Sequence, residues 1–254
     1  MYVGMKKRAL VLTGGGARGA YQVGVLKYLA EHVEDPEFRI LLGSSAGAIN
    51  ISALASQPGN FKEAVAEMEK VWANLSISDV LKIGFFSLLK MAFKWLLNLL
   101  VSATTGKAIV HSLINSSPLR HLIERIYKPE NVAKAIREGR IDSLGIVATE
   151  ISSGFSVTFV QSKSFLPWKR SKRRSESSVI TPNHILASSA IPFLFKTILI
   201  GKKRYLDGSV RSTTPLAPAA RLGATEIFSI GVKQTFRGVP KEFQTDAEEK
   251  EPTI

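Results

Sequence analysis

The residues most able to do chemistry sit in two glycine-rich turns. Gly43-Ser44-Ser45-Ala46-Gly47 has the form G-x-S-x-G, between an apolar run and a run of small residues. A strand-to-helix turn this sharp forces its central serine into strained backbone dihedrals and presents the hydroxyl at a helix N-terminus, so Ser45 is the candidate nucleophile. The bland alternative is a tight turn whose serine caps the helix. Upstream, Gly14-Gly15-Gly16-Ala17-Arg18-Gly19 also fits G-x-G-x-x-G, the dinucleotide fingerprint. That fingerprint needs an acidic residue at the end of the next strand to hold a ribose, and here the strand ends in Leu41-Leu42-Gly43-Ser44. Glu34, Asp35 and Glu37 precede it, at the wrong end. Consecutive glycine N–H groups at a helix N-terminus suit a developing oxyanion instead, with Arg18 adding positive charge nearby.

A serine nucleophile needs a base, usually a His held by Asp. The four histidines are His32, His111, His121 and His184, and none follows Asp207. Asp207-Gly208-Ser209 comes directly after a strand-like run. Alone, an Asp-Gly pair is more often just a turn.

Taken together, the glycine run at 14–19, the serine turn at 43–47, Ala187-Ser188-Ser189-Ala190-Ile191-Pro192 and Asp207-Gly208-Ser209 resemble, in order and type, the motifs of the patatin-like phospholipases. The resemblance covers residues 8–231. It implies a Ser45–Asp207 catalytic dyad without histidine and an oxyanion hole from Gly14, Gly15 and Gly16, with Arg18 matching the family's arginine after the glycines. It also implies hydrolysis of lipid esters through an acyl-enzyme, with neither cofactor nor metal. Two departures, Ser209 in place of the commoner Gly or Ala and Thr13 at a position often Asp, remove no catalytic group. The alternative is a lipid- or membrane-binding protein that keeps the fold and turns over weakly.

The elements that must position these groups follow from hydrophobic periodicity. Residues 8–13 and 38–42 read as short buried strands; 18–32, with Tyr21, Val25, Tyr28 and Leu29 at helical spacing, and 48–56 read as the helices that follow them. Two successive strand-turn-helix units predict an α/β fold with a mostly parallel central sheet covered by helices, and the resemblance implies the three-layer αβα form. Further helices are expected at 61–74, 115–127, 129–138 and 184–190, and strands at 144–149, 155–160, 203–206 and 225–231, the last of them buried. Residues 163–174, with six basic residues in twelve and no periodicity, read as an exposed loop.

Composition bounds the rest. At 254 residues, one domain over 1–240 is expected, followed by an acidic, disordered tail at 241–254. The absence of cysteine excludes disulfides, thiolate zinc sites and cysteine nucleophiles. The apolar run at 9–12 is too short for a signal peptide, so a cytoplasmic protein, peripheral at a membrane, is expected. Net charge is +13, and the tail's five acids and two bases leave 32 basic against 16 acidic residues before it. Such a surplus suits an anionic partner. Nucleic acid is not expected, because the cluster at 169–174 has only Phe165 and Trp168 beside it to stack on bases. An anionic membrane surface is expected instead, met by the loop at 163–174 and by a helix over 79–101. On that helix Lys82, Ser87, Lys90, Lys94 and Asn98 share less than half the circumference beside a wide apolar face, although a helix packed in the core or over the site's mouth would show the same pattern.

Overall fold

The computed structural model describes residues 6–34, 36–81, 117–192 and 194–232. Its frame is a nine-stranded mixed sheet in the order β5-β6-β4-β3-β2-β1-β9, with β7 and β8 attached beside β3. The strands β1 (Arg8–Leu12), β2 (Phe38–Ser44), β3 (Ser143–Glu150) and β9 (Glu226–Ile230) form a parallel block. Apolar residues crowd both faces of β1, β2 and β3, as parallel strands buried on two sides require. The other strands turn back: β4 (Ser156–Ser162) runs antiparallel to β3, and β6 (Arg173–Ser177) runs parallel to β4. The edge strand β5 is Lys169–Arg170.

Eight α-helices are described: α1 (Gly19–His32), α2 (Ala46–Ser56), α3 (Phe61–Ala73), α4 (Ile77–Val80), α5 (Ser117–Ile126), α6 (Pro129–Glu138), α7 (Pro182–Ser188) and α8 (Leu216–Arg221). Helices α1 to α7 bury the main core against one sheet face; on the other, Ala219 of α8 packs on Ala9, Val11, Ile40, Leu42 and Val147. This gives three layers. The central helix is α2, with ten of its eleven residues buried, a pattern that only a helix surrounded by protein shows. Its small side chains allow close approach: a Cβ on Gly47 would lie 2.2 Å from the Leu12 carbonyl oxygen.

Four sequence expectations change. The basic run at 169–174 is the β5–β6 hairpin, turning through Lys172 at φ 53°, not a loop. Its strand character comes from pairing with β4 and from buried Ser175, which periodicity over a charged run cannot show. On α1, Tyr21 and Tyr28 are each 62% exposed, while Gln22, Val23 and Leu26 take the core positions. The last strand, β9, is an edge with only Ile230 buried among the described residues. At 79 no long helix begins: Asp79 belongs to a capping box with Ser76 in the one-turn α4, and Leu81 is extended. The remainder of the 79–101 helix and the 241–254 tail lie outside the described residues. Among those that are described, no helix is long and apolar enough to cross a membrane.

Candidate active site

Ser45 is the N-cap of α2 and has φ 55° and ψ −126°, a conformation costly for a residue with a side chain. Neighbours hold it there. Its amide donates to Ser188 Oγ at 2.9 Å, Ser188 in turn donates to the Val147 carbonyl at 2.5 Å, and Ser189 Oγ donates to the Ser45 carbonyl at 3.2 Å. The two serines of the 187–192 motif are therefore clamps on the strained turn. From the sequence that motif could be read only as a family mark.

Asp207 reaches Ser45 through an uncommon strand arrangement. Along one side of β3, β2 pairs as far as Val147, opposite Ser44. There β2 turns into the Ser45 elbow, and β8 (Lys203–Asp207) takes over the vacated edge, antiparallel, from Ala148 to Glu150. Two strands thus meet end to end on one edge. Ser45 Oγ donates to Asp207 Oδ2 at 2.6 Å, and the Ser209 amide donates to Oδ1 at 2.7 Å. Both side chains are nearly sealed, Ser45 at 5% and Asp207 at 4% exposure. Burial raises the Asp207 pKa above its ordinary value, outweighing the hydrogen bonds that favour the carboxylate. A carboxylate destabilised in this way is a better base than one in water.

The glycine turn lies against the same serine. A Cβ on Gly14 would stand 2.9 Å from Ser45 Cβ, and no acceptor for the amides of Gly14, Gly15 or Gly16 occurs among the described residues. A buried polar network anchors this turn: Gln22 Nε2 donates to the Thr13 carbonyl at 2.7 Å, Asn50 Nδ2 to the Gly19 carbonyl at 3.0 Å and to Gln22 Oε1 at 2.9 Å, and Trp72 Nε1 to Asn50 Oδ1 at 2.8 Å. Polar residues on an apolar helix gave no sequence signal of this role. Arg18 is exposed, and its guanidinium donates to the Val232 carbonyl at 3.2 Å. Among the described residues no cluster could hold a metal ion.

An apolar pocket of about 620 Å³ opens from Ser45 between α2, α3, α4, α5 and the segment after α7, with Ile49, Val71, Trp72, Leu122, Ile191 and Phe195 on its walls. Val80 and Leu81, the described start of the 79–101 segment, line it too. His184 is engaged in its own helix cap. Its Nδ1 accepts from the Thr181 amide at 3.1 Å in the capping box of α7, its ring packs edge-on against Phe159, and burial depresses its pKa to about 4. The imidazole is therefore neutral in the folded state. Because its folded pKa lies below the unfolded value near 6.5, stability from the neutral ring is complete above that pH and is lost as pH falls towards 4, by about 3 kcal/mol at most. His184→Gln keeps a capping-box residue. It is expected to flatten the stability profile between pH 6.5 and 4, measured by urea unfolding, while neutral-pH turnover persists; an unchanged acid slope would contradict a buried neutral imidazole.

A strand-turn-helix elbow thus joins a strained serine to a buried carboxylate, beside glycine amides that meet no acceptor among the described residues. The profile of the Patatin-like phospholipase family matches residues 10–220, and the chain belongs to that family. Among solved structures it is similar to VipD from Legionella pneumophila, at 17% identity and a TM-score of 0.46, over 82% of this chain and 46% of that one. It is also similar to the heterodimeric ExoU-SpcU complex of the Pseudomonas aeruginosa type III secretion system, at 20% identity and a TM-score of 0.37, over 77% and 38%. The chain thus spans less than half the length of these solved chains. No curated protein matches it significantly.

Proposed function

We propose that residues 1–240 form one catalytic unit, a lipid carboxylic ester hydrolase working peripherally at a membrane of the cytoplasm. The observation that carries this reading is the 2.6 Å hydrogen bond from Ser45 to buried Asp207 at the end of an apolar pocket. Ser45 Oγ attacks the ester carbonyl as its proton passes to Asp207, and amides of the Gly14–Gly16 turn hold the oxyanion. Asp207 returns the proton to the leaving alcohol. Water then attacks the acyl-enzyme, losing its proton to Asp207; as the bond from the acyl carbon to Ser45 Oγ breaks, Asp207 passes that proton to Oγ, and fatty acid, the free Ser45 hydroxyl and ionised Asp207 result. Arg18, tied to Val232, positions the glycine turn from outside. The α2 N-terminus adds a favourable dipole for the developing anion.

The pocket's volume is in the range of small-molecule sites, and its walls suit an acyl chain. Across nitrophenyl esters of increasing chain length, kcat/KM is expected to rise until the pocket is filled. Val71→Trp should lower the value for long chains at least tenfold, a typical effect of a few lost apolar contacts, and leave the acetate ester unchanged. Mass spectrometry of lipids released from mixed phospholipid vesicles identifies the natural ester. Absence of both fatty-acid release and short-ester turnover in the folded protein would leave the lipid-binding alternative in place.

A further inference from the structure

We infer that the end of the sheet bearing Ser45 and Asp207 is a docking face for an anionic phospholipid bilayer, built from three strand turns and the segment after Asp207. This rests on the hydrolase reading only for its purpose; the surface itself follows from strand register. Ser44 lies opposite Val147, Val147 opposite Thr158, and Thr158 opposite Ser175. The β5–β6 turn, two residues and more before Ser175, therefore stands beyond the level of the elbow, at the same end of the sheet. Across β3, β8 begins at Lys203 and descends to Asp207. At about 3.3 Å per residue, the turn joining it to β7 (Ile198–Ile200) rises on the order of 13 Å past the dyad. Between the two stands the β3–β4 turn at 151–155.

These turns are loaded with one sign of charge. Arg170, Lys172 and Arg173 occupy the first, Lys202, Lys203 and Arg204 the second, all exposed. Arg211, also exposed, donates to the Gly154 carbonyl at 2.9 Å and so joins the segment after Asp207 to the β3–β4 turn. In the stretches 150–155, 170–173, 200–204 and 208–213 the single acidic residue is Glu150. It is 3% exposed and already engaged by Arg174 and Ser152, with Lys203 Nζ 3.5 Å away. Cations gathered without exposed counter-charges repel one another, and an anionic surface relieves that repulsion. Among them two apolar side chains point outward, Ile151 at 45% and Val210 at 53% exposure. Apolar tips ringed by Lys and Arg suit the boundary between headgroups and acyl chains, whereas a nucleic-acid surface would offer rings to stack on. Phe155 is half-buried, with the Arg174 guanidinium 5.9 Å from its ring. The pocket wall at Ile191 and Leu194 leads directly into β7, so one chain segment links the acyl pocket to the basic turn.

The test uses the full chain, with Lys172→Glu, Arg173→Glu and Lys202→Glu combined, sedimented with vesicles of equimolar phosphatidylcholine and phosphatidylglycerol and with vesicles of phosphatidylcholine alone. Each cation near an anionic surface contributes about fivefold in partitioning, so losing three should weaken binding to the anionic vesicles by at least about a hundredfold, and the carboxylates that replace them add repulsion. Wild-type binding should weaken as salt rises. Turnover of a soluble butyrate ester should be unchanged, which shows that the variant is folded and keeps the hydrolase reading separate. Ile151→Trp should give blue-shifted emission on anionic vesicles and none with short duplex DNA. Equal vesicle binding by the triple variant and wild type, or tighter retention on duplex DNA than on anionic vesicles, would overturn the docking face. Vesicle binding without hydrolysis of any ester would uphold it and remove the enzymatic reading instead.

Discussion

Ser45→Ala and Asp207→Asn are each expected to lower ester turnover by at least about 10³-fold, the scale seen when one member of a nucleophile–base unit is removed. The two losses should not add in the double variant, because in the proposed mechanism the groups act through one shared proton. Their effects on stability should differ. Burial places the Asp207 pKa above that of an unfolded aspartate, so the folded state holds this proton more tightly. Stability from the protonated form is present in acid and is lost as pH rises through the folded pKa; at neutral pH the ionised carboxylate weakens the fold. Asp207→Asn removes that charge and should leave Tm at pH 7 equal or higher, whereas Ser45→Ala takes the 2.6 Å hydrogen bond from a carboxylate that stays buried. The same elevated pKa should appear as the acid limb of the kcat/KM profile, above the ordinary carboxylate range and absent in Asp207→Asn residual activity. The dyad fails if Asp207→Asn retains turnover within tenfold of wild type, or if His184→Ala, folded, is equally inactive.

The sequence made these groups legible because their signals are local. Glycines at 14–16, 43 and 47 mark turns, and the short apolar runs before them mark strands, so both ends of the first two strand-turn-helix units could be placed to within two residues. What joins Ser45 to Asp207 is not local. It depends on β3 outlasting β2 and on β8 filling the gap, a pairing across more than fifty residues of chain. The clamps Ser188 and Ser189 and the Gln22–Asn50–Trp72 network have the same character: each is a polar side chain whose partner comes from a distant segment. Charge misled in the other direction. Arg174 reads as part of a solvated basic run, yet it pairs with Glu150 and Glu176 inside the sheet edge, and only its neighbours in the hairpin turn remain for a partner.

Gly14→Ala is expected to be the most damaging substitution in the glycine turn, with kcat reduced about 10²- to 10³-fold and KM changed far less, the signature of a lost oxyanion donor. The methyl group would come within 1.9 Å of Ser209 Oγ and 2.9 Å of Ser45 Cβ, distances that atoms cannot share. Ser209 can rotate its hydroxyl away, but the elbow fixes Ser45 through its bonds to Ser188 and Ser189. Relief must therefore come from the glycine turn, which moves its amides away from the serine, or from residue 209, whose own amide holds Asp207. Both routes disturb charge stabilisation in the transition state more than binding of the neutral ester. Gly15→Ala meets a different neighbour, Val232 Cγ2 at 2.0 Å, and Ser45 is not among its nearest atoms. It should cost stability through overpacking, about 1–3 kcal/mol, with a smaller fall in kcat. Arg18→Ala, which frees the Val232 carbonyl, should be milder still. The order Gly14, Gly15, Arg18 can be read from kcat on one soluble ester and from the rate of labelling by a fluorophosphonate, whose adduct places an oxygen where the oxyanion would form. A Gly14→Ala protein that folds and labels at the wild-type rate would mean that the oxyanion is held by donors other than this turn.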